Sequence, residues 1–132
     1  MAGRAVQPQG WPPPRGYSNG YLVGDVLFVA GQIGWGVDGV LADGFLAQFR
    51  LALENVKAVL DAAAVPVDDV GRVTVYVTDK RAYLAAGRDI GLAWRAVLGR
   101  HYPAMSLVQV ADLLEPGALV EIEATAVVRR AS

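Results

Sequence analysis

The sequence contains no cysteine. That absence excludes a disulfide framework, a thiol nucleophile and cysteine-ligated zinc, and it is neutral about compartment. Histidine occurs once, at His101, which is too few for a histidine-rich metal site within one chain. Neither sign of charge is in excess, since twelve Lys and Arg stand against thirteen Asp and Glu for a formal −1. A chain so balanced has no general basic field to draw phosphates, so nucleic acid is not an expected partner. Lysine is scarce. Only Lys57 and Lys80 occur, so ten of the twelve cations are Arg, which suits fixed hydrogen-bonding partners better than a solvating coat. The apolar runs are too short to span a bilayer. Met1 to Gly16 is rich in Pro and Gly and lacks the apolar stretch of a signal peptide. The expectation is a cytoplasmic protein with no membrane partner.

What the chain does have is apolar surface. It is 132 residues long, 54% hydrophobic and 19% charged. This length makes one domain, and so much apolar surface excludes disorder. It also exceeds slightly what a domain of this size hides by itself. Part of the surplus is therefore expected to meet another subunit.

Residues 1–15 hold Trp11-Pro12-Pro13-Pro14, which cannot enter a helix and reads as an extended, Pro-rich arm before a single domain of residues 16–132. Leu22-Val23 and Val26 to Ala30 flank Gly24-Asp25 as a hairpin. Gly31, Gly34 and Gly36 then break the pattern around Gln32 and Trp35, and Val37-Asp38-Gly39-Val40 reads as a turn. Leu46, Phe49, Leu53, Val56, Leu60 and Ala63 recur at alternating spacings of three and four, one face of an amphipathic helix. Asp43 is its expected N-cap and Pro66 its stop. Val73 to Thr78 reads as a strand. Thr78 or Asp79 then caps a second helix with Tyr83, Leu84, Gly87, Ile90, Gly91, Trp94, Val97 and Leu98 as its apolar positions. Gly87 and Gly91 cost helix propensity there, which suggests that something packs close. Met105 to Ala111 and Leu119 to Val128 read as closing strands around Glu115-Pro116-Gly117. The fold class is α+β, a sheet with both helices on one face and the other face in need of cover.

Several strings resemble the RidA/YjgF family of imine and enamine deaminases. They are Gly16-Tyr17-Ser18, Leu27 to Ile33, Ala52 to Leu60, Val73 to Asp79, Pro103-Ala104-Met105-Ser106 and Gly117 to Ala124, which run in order across about residues 16–128. The resemblance implies a chorismate-mutase-like fold with a mixed sheet, assembled as a homotrimer around a central barrel with helices outside. It implies small-molecule sites in the three intersubunit clefts. It also implies hydrolysis of 2-imino or 2-amino-acrylic acids to 2-keto acids and ammonia, without a cofactor. Two positions depart from the family pattern. Met105 stands where active deaminases carry the arginine of Pro-Ala-Arg-Ser, and a thioether cannot fork onto a carboxylate as a guanidinium does. Gly87 stands where the family has an asparagine, and opens space. The expected substrate is accordingly larger or aromatic, with a non-catalytic ligand-binding trimer as the alternative. Ribonuclease activity, also reported in the family, sits poorly with the balanced charge.

By this resemblance Glu121 positions the hydrolytic water, Tyr17 borders the ligand, and Gly31 offers backbone to it. The residues add their own argument. Glu121, Glu123 and Thr125 share one strand face while Val120, Ile122, Ala124 and Ala126 share the other. A carboxyl in an apolar cleft gains a raised pKa suited to proton transfer near neutrality; the competing role is ion pairing at a subunit seam, favoured for Glu123. Tyr17 reads equally as interface packing. Trp35 and Met105 suit an apolar pocket wall beside Gln32, or plain packing. His101, just before the altered motif, is a candidate polar replacement in the cleft, or a loop histidine held by hydrogen bonds. Arg88 follows Gly87 and is the best substitute anchor in the stripe Arg81, Arg88, Arg95, whose bland reading is a solvated face.

Overall fold

A computed structural model describes residues 2–129. Its strands are β1 (Arg4–Val6), β2 (Gly20–Val23), β3 (Val26–Ile33), β4 (Val70–Val77), β5 (Ala104–Gln109) and β6 (Val120–Val127). The helices are α1 (Phe45–Ala62), α2 (Lys80–Ala85) and α3 (Gly87–Leu98). One mixed sheet takes the order β1-β2-β3-β6-β4-β5, in which only β4 and β5 run parallel. This is the α+β architecture expected from the sequence. The Pro-rich arm joins the sheet directly, because Arg4–Val6 pair with β2 as the edge strand.

The period-2 pattern decides which face is covered. On β6, Val120, Ile122, Ala124 and Ala126 are buried while Glu121, Glu123 and Thr125 between them are only partly so. Val73, Val75 and Val77 on β4 and Leu27 and Val29 on β3 complete the covered face. Against it lies α1, whose Phe49, Leu53, Val56, Val59 and Leu60 are at most 1% exposed. Burying each such side chain contributes roughly 1.5–3 kcal/mol. Ile90, Trp94 and Leu98 of α3 extend the same core beside α1. Among the described residues, no helix covers the other face. Tyr21 and Phe28 stand opposite one another there, 42% and 49% exposed, with Thr125 next in the row.

The helix ends differ from expectation. Gly44, at φ 89, precedes the first turn of α1, and Asp43 makes no cap because no side chain there accepts from the helix. At the other end Ala64 adopts φ 56, with its N–H on Asp61 O and the Val65 N–H on Leu60 O. That pairing is a Schellman ending, so the chain turns before Pro66 is reached. The second helix is two helices. Asp79 caps α2 by accepting from Arg81 N at 2.9 Å, but Ala86 leaves helical geometry and α3 starts afresh at Gly87. Nor, among the described residues, does any other element pack close to the two glycines. A Cβ on Gly87 would meet no atom within 4 Å, and one on Gly91 only the Arg95 guanidinium at 3.7 Å. Leu84, 70% exposed, likewise lies outside the core.

Gly34 is the glycine on which the fold depends. A Cβ there would collide with the backbone of Gln48 in α1, which cannot swing aside as a side-chain tip can. Gly34→Ala is expected to lower stability by about 2–3 kcal/mol, the cost of overpacking against fixed atoms. A urea unfolding curve with a lower midpoint and unchanged slope is the expected result.

Candidate active site

Five of the residues singled out in the sequence meet at one end of the sheet. Tyr17, Gly31, Gln32, Trp35 and Glu121 line a cavity of about 330 Å³, together with Asn19, Ala30, Ile33, Leu114 and Glu115. The strands explain the meeting. Glu121, second residue of β6, lies between Ile33 of β3 and Tyr76 of β4. Next to it β3 carries a bulge, since three steps from Val29 to Gln32 match two steps from Ala124 to Ile122. Bulges of this kind re-aim side chains beside functional sites. Here the bulge holds Gly31, and the Glu121 carboxyl lies against it. A Cβ on Gly31 would stand 2.7 Å from the Glu121 carboxyl carbon and 2.8 Å from Oε1.

The electrostatics of this carboxyl are set by its neighbours. Partial burial, followed by the charge of Glu123, pushes the Glu121 pKa above the ordinary carboxylate range. Glu123 is occupied otherwise, because Tyr76 donates its phenol to Glu123 Oε1 at 2.8 Å. That hydrogen bond is the main cause of a raised Tyr76 pKa. The two carboxylates thus differ. Glu123 is tied to the sheet, while Glu121 faces the cavity with raised proton affinity.

Carboxamides hold the walls, and the sequence reading passed most of them over. Asn55 of α1 donates to Ile33 O at 3.0 Å and Trp35 O at 2.8 Å. Gln48, two turns earlier, donates to Ala42 O and Gly117 O, both at 3.1 Å, and accepts from Leu119 N at 2.8 Å. Gln32 donates to Ala30 O and to Asn19 Oδ1. The available signal was two amides seven residues apart on the apolar face of α1, where an unpaired polar group would be costly. Trp11 packs against the core, and Leu114, fully exposed, overhangs the cavity.

Four candidates lie elsewhere in the chain. The His101 ring donates from Nε2 to Val70 O at 2.6 Å, and the His101 carbonyl accepts from Trp94. Val70 is six residues along β4 from Tyr76, about 20 Å from the Glu121 row. His101 is therefore a hydrogen-bonded loop histidine that lies apart from the Glu121 cavity of the same chain. Met105 pairs with the inward-facing Val73, so it leaves the sheet on the helix-covered side at the β5 edge, 41% exposed. Glu121 leaves the opposite face, so one copy of the chain cannot bring Met105 and Glu121 together. Gly87 and Arg88 sit exposed at the start of α3, apart from this cavity. Among the described residues no group of three or more His, Asp or Glu is placed to hold a metal ion, and no helix is long and apolar enough to cross a membrane.

Comparison with known proteins finds relatives that span nearly the whole described fold. The family model described as endoribonuclease L-PSP matches residues 10–128. A 2-iminobutanoate/2-iminopropanoate deaminase of Salmonella typhimurium is 36% identical over 119 residues, 86% of this chain and 88% of that protein. Among solved structures, E. coli TdcF with bound serine is 35% identical with TM-score 0.79, covering 94% of this chain and 98% of the other. RidA from an Antarctic Psychrobacter is 33% identical with TM-score 0.81, over 95% and 99% of the two chains.

The raised Glu121 pKa has a consequence for stability. The folded chain holds this proton to higher pH than the unfolded chain does, so stability falls as pH rises from the ordinary carboxylate range through the raised value. Above that window the ionised Glu121 is a net burden. Glu121→Gln is expected to raise the thermal midpoint at pH 7 and to flatten this part of the stability profile, measured by calorimetry from pH 4 to 8.

Proposed function

The chain belongs to the RidA/YjgF family, matched by the endoribonuclease L-PSP model, and we propose on that premise that it is an imine and enamine deaminase. The observation that carries this reading is the Glu121 carboxyl, which lines a cavity, lies against Gly31 and is raised in pKa. Hydrolysis of an imine adds water to C=N and expels ammonia, so one C–O bond forms and the C–N bond breaks. Ionised Glu121 takes a proton from water as its oxygen attacks the imine carbon. It returns that proton to nitrogen to give the carbinolamine, then carries the hydroxyl proton to the same nitrogen, which leaves as ammonia as the C–N bond breaks and the carbonyl closes. A carboxyl whose proton affinity is raised above the ordinary range suits both halves of this transfer better than an ordinary carboxylate. Tyr17, exposed at the cavity edge, orients the substrate, and the missing side chain at Gly31 leaves room for the carboxylate to approach.

The assembly proposed is a homotrimer, with the bare sheet face inside and the clefts between copies. Its support is the uncovered row of Tyr21 and Phe28, and the placement of Met105 on the face opposite Glu121, where only a second copy can share its cleft. Met105 in place of the family arginine favours a larger or aromatic substrate over a small free 2-imino acid held by its carboxylate. The same substitution favours the second reading, a trimer that binds small ligands without chemistry.

Glu121→Gln is expected to slow ammonia release by about 100-fold or more, the usual worth of a positioned acid–base group. Unchanged turnover would remove Glu121 from the mechanism. Met105→Arg separates the two readings: a gain of 2-iminopropanoate hydrolysis shows an intact apparatus lacking its anchor, and no gain favours ligand binding alone. Phe28→Glu, charged on the bare face, is expected to convert a trimer to monomers in sedimentation velocity.

A further inference from the structure

Behind the Glu121 cavity lies a second space of about 130 Å³, walled on its outer side by Trp11 and Pro12 of the N-terminal arm. The two spaces share four wall residues, Tyr17, Asn19, Gln32 and Trp35. We propose that this second space is a specificity compartment for an aromatic substituent bearing a ring hydrogen-bond donor, such as an indole, attached to the reacting imine. The inference rests on the deaminase reading above and adds to it the class of substrate and the place of its side chain.

Three observations support it. The first is size and surface. Trp11, Tyr17 and Trp35 offer aromatic walls, and the volume is close to that of an apolar cavity of about 150 Å³ that takes up benzene. Flat aromatic rings stack against such walls with a gain beyond burial alone.

The second is that the outer wall is built in place. Gln7 Nε2 donates to Trp11 O at 3.3 Å and Pro12 O at 3.1 Å, fixing the arm. Gln7 Oε1 accepts from Asn19 Nδ2 at 2.9 Å, and Asn19 Oδ1 accepts from Gln32 Nε2 at 3.3 Å. Gln32 Nε2 ends the relay on Ala30 O at 3.1 Å, beside Gly31. A continuous line of amides therefore joins the arm to the bulge that receives Glu121.

The third is the polarity left over. Backbone carbonyls only accept, so Gln7 and Gln32 must present their NH2 groups to them, and the orientation of every amide in the relay follows. Asn55 is fixed in the same way by Ile33 O and Trp35 O. Among the described residues, Gln32 Oε1 and Asn55 Oδ1 take no partner in this network. These two oxygens offer acceptors to a ring N–H, beside the indole N–H groups of Trp11 and Trp35 and the Tyr17 hydroxyl, which line the same space as donors.

The test offers wild type, Val37→Trp and Trp11→Ala the 2-imino acids that an amino-acid oxidase makes from tryptophan, phenylalanine and alanine. Imine loss is followed by trapping the remainder with semicarbazide. Val37 is 61% exposed at the rim, so a tryptophan there plugs the space without removing a wall. Wild type is expected to favour the indolyl imine over the alanine-derived one by about tenfold or more in kcat/KM. The phenyl imine, lacking the donor, is expected about fivefold below the indolyl one. Val37→Trp and Trp11→Ala should each remove most of the preference while leaving the alanine-derived imine unchanged. No preference in wild type, or one that survives in both variants, overturns the proposal. If wild type hydrolyses no imine, the deaminase reading fails and calorimetric titration with indole judges the compartment alone. Binding lost in Val37→Trp then supports it, and absent or equal binding overturns it.

Discussion

One constraint governs this molecule: a six-stranded sheet with helices on a single face. The strand pattern sends Val and Ala residues of β6 into the helix layer, and the same alternation sends Glu121, Glu123 and Thr125 the other way. The apolar surplus and the acidic pair are consequently two sides of one pattern. Phe28 and Tyr21 share the uncovered face with the carboxylates, so whatever covers that face also dries the surroundings of Glu121.

The second layer of organisation is polar and long-range. Gln48 reaches Gly117 and Leu119 from the first turn of α1, while Asn55 grips the loop after β3. These two amides tie the helix to both rims of the Glu121 cavity, and the close passage of Gly34 over Gln48 lets the helix sit near enough to do so. The Gln7–Asn19–Gln32 relay does the same for the arm. Gln7, Gln32, Gln48 and Asn55 donate to backbone carbonyls, and Asn19 joins two of them side chain to side chain, which holds loops at a buried rim without a hydrophobic plug.

Local periodicity made much of this legible in the sequence. The α1 stripe, the β2–β3 hairpin, the Val73–Val77 alternation and the two faces of β6 all follow from spacing, and all appear in the fold. The grouping of Tyr17, Gly31 and Glu121 follows from family resemblance, since nothing local says that residues a hundred apart will meet; Trp35, beside Gln32, enters as a suitable apolar wall. The misses share one cause, dependence on geometry that spacing does not carry. Asp43 looked like a cap, but the chain enters α1 through Gly44 at positive φ. His101 looked available until Val70 O claimed its ring. The break at Ala86 has no proline to announce it. The parallel register with β4 turns Met105 to the helix side, so within one chain it stands apart from Glu121, which the motif alone does not reveal. Gln48 and Asn55 were visible as polar residues on an apolar stripe, and their partners were not.

The central claim is that Glu121 is the proton-transferring group and that its surroundings raise its pKa for the task. The most direct test is a carboxyl 13C NMR titration of Glu121, laid over the pH dependence of kcat/KM for ammonia release. The account predicts that Glu121 titrates above the ordinary carboxylate range and that the acid limb of the rate profile follows it. A Glu121 that titrates in the ordinary range, or an acid limb that ignores its titration, would contradict the account.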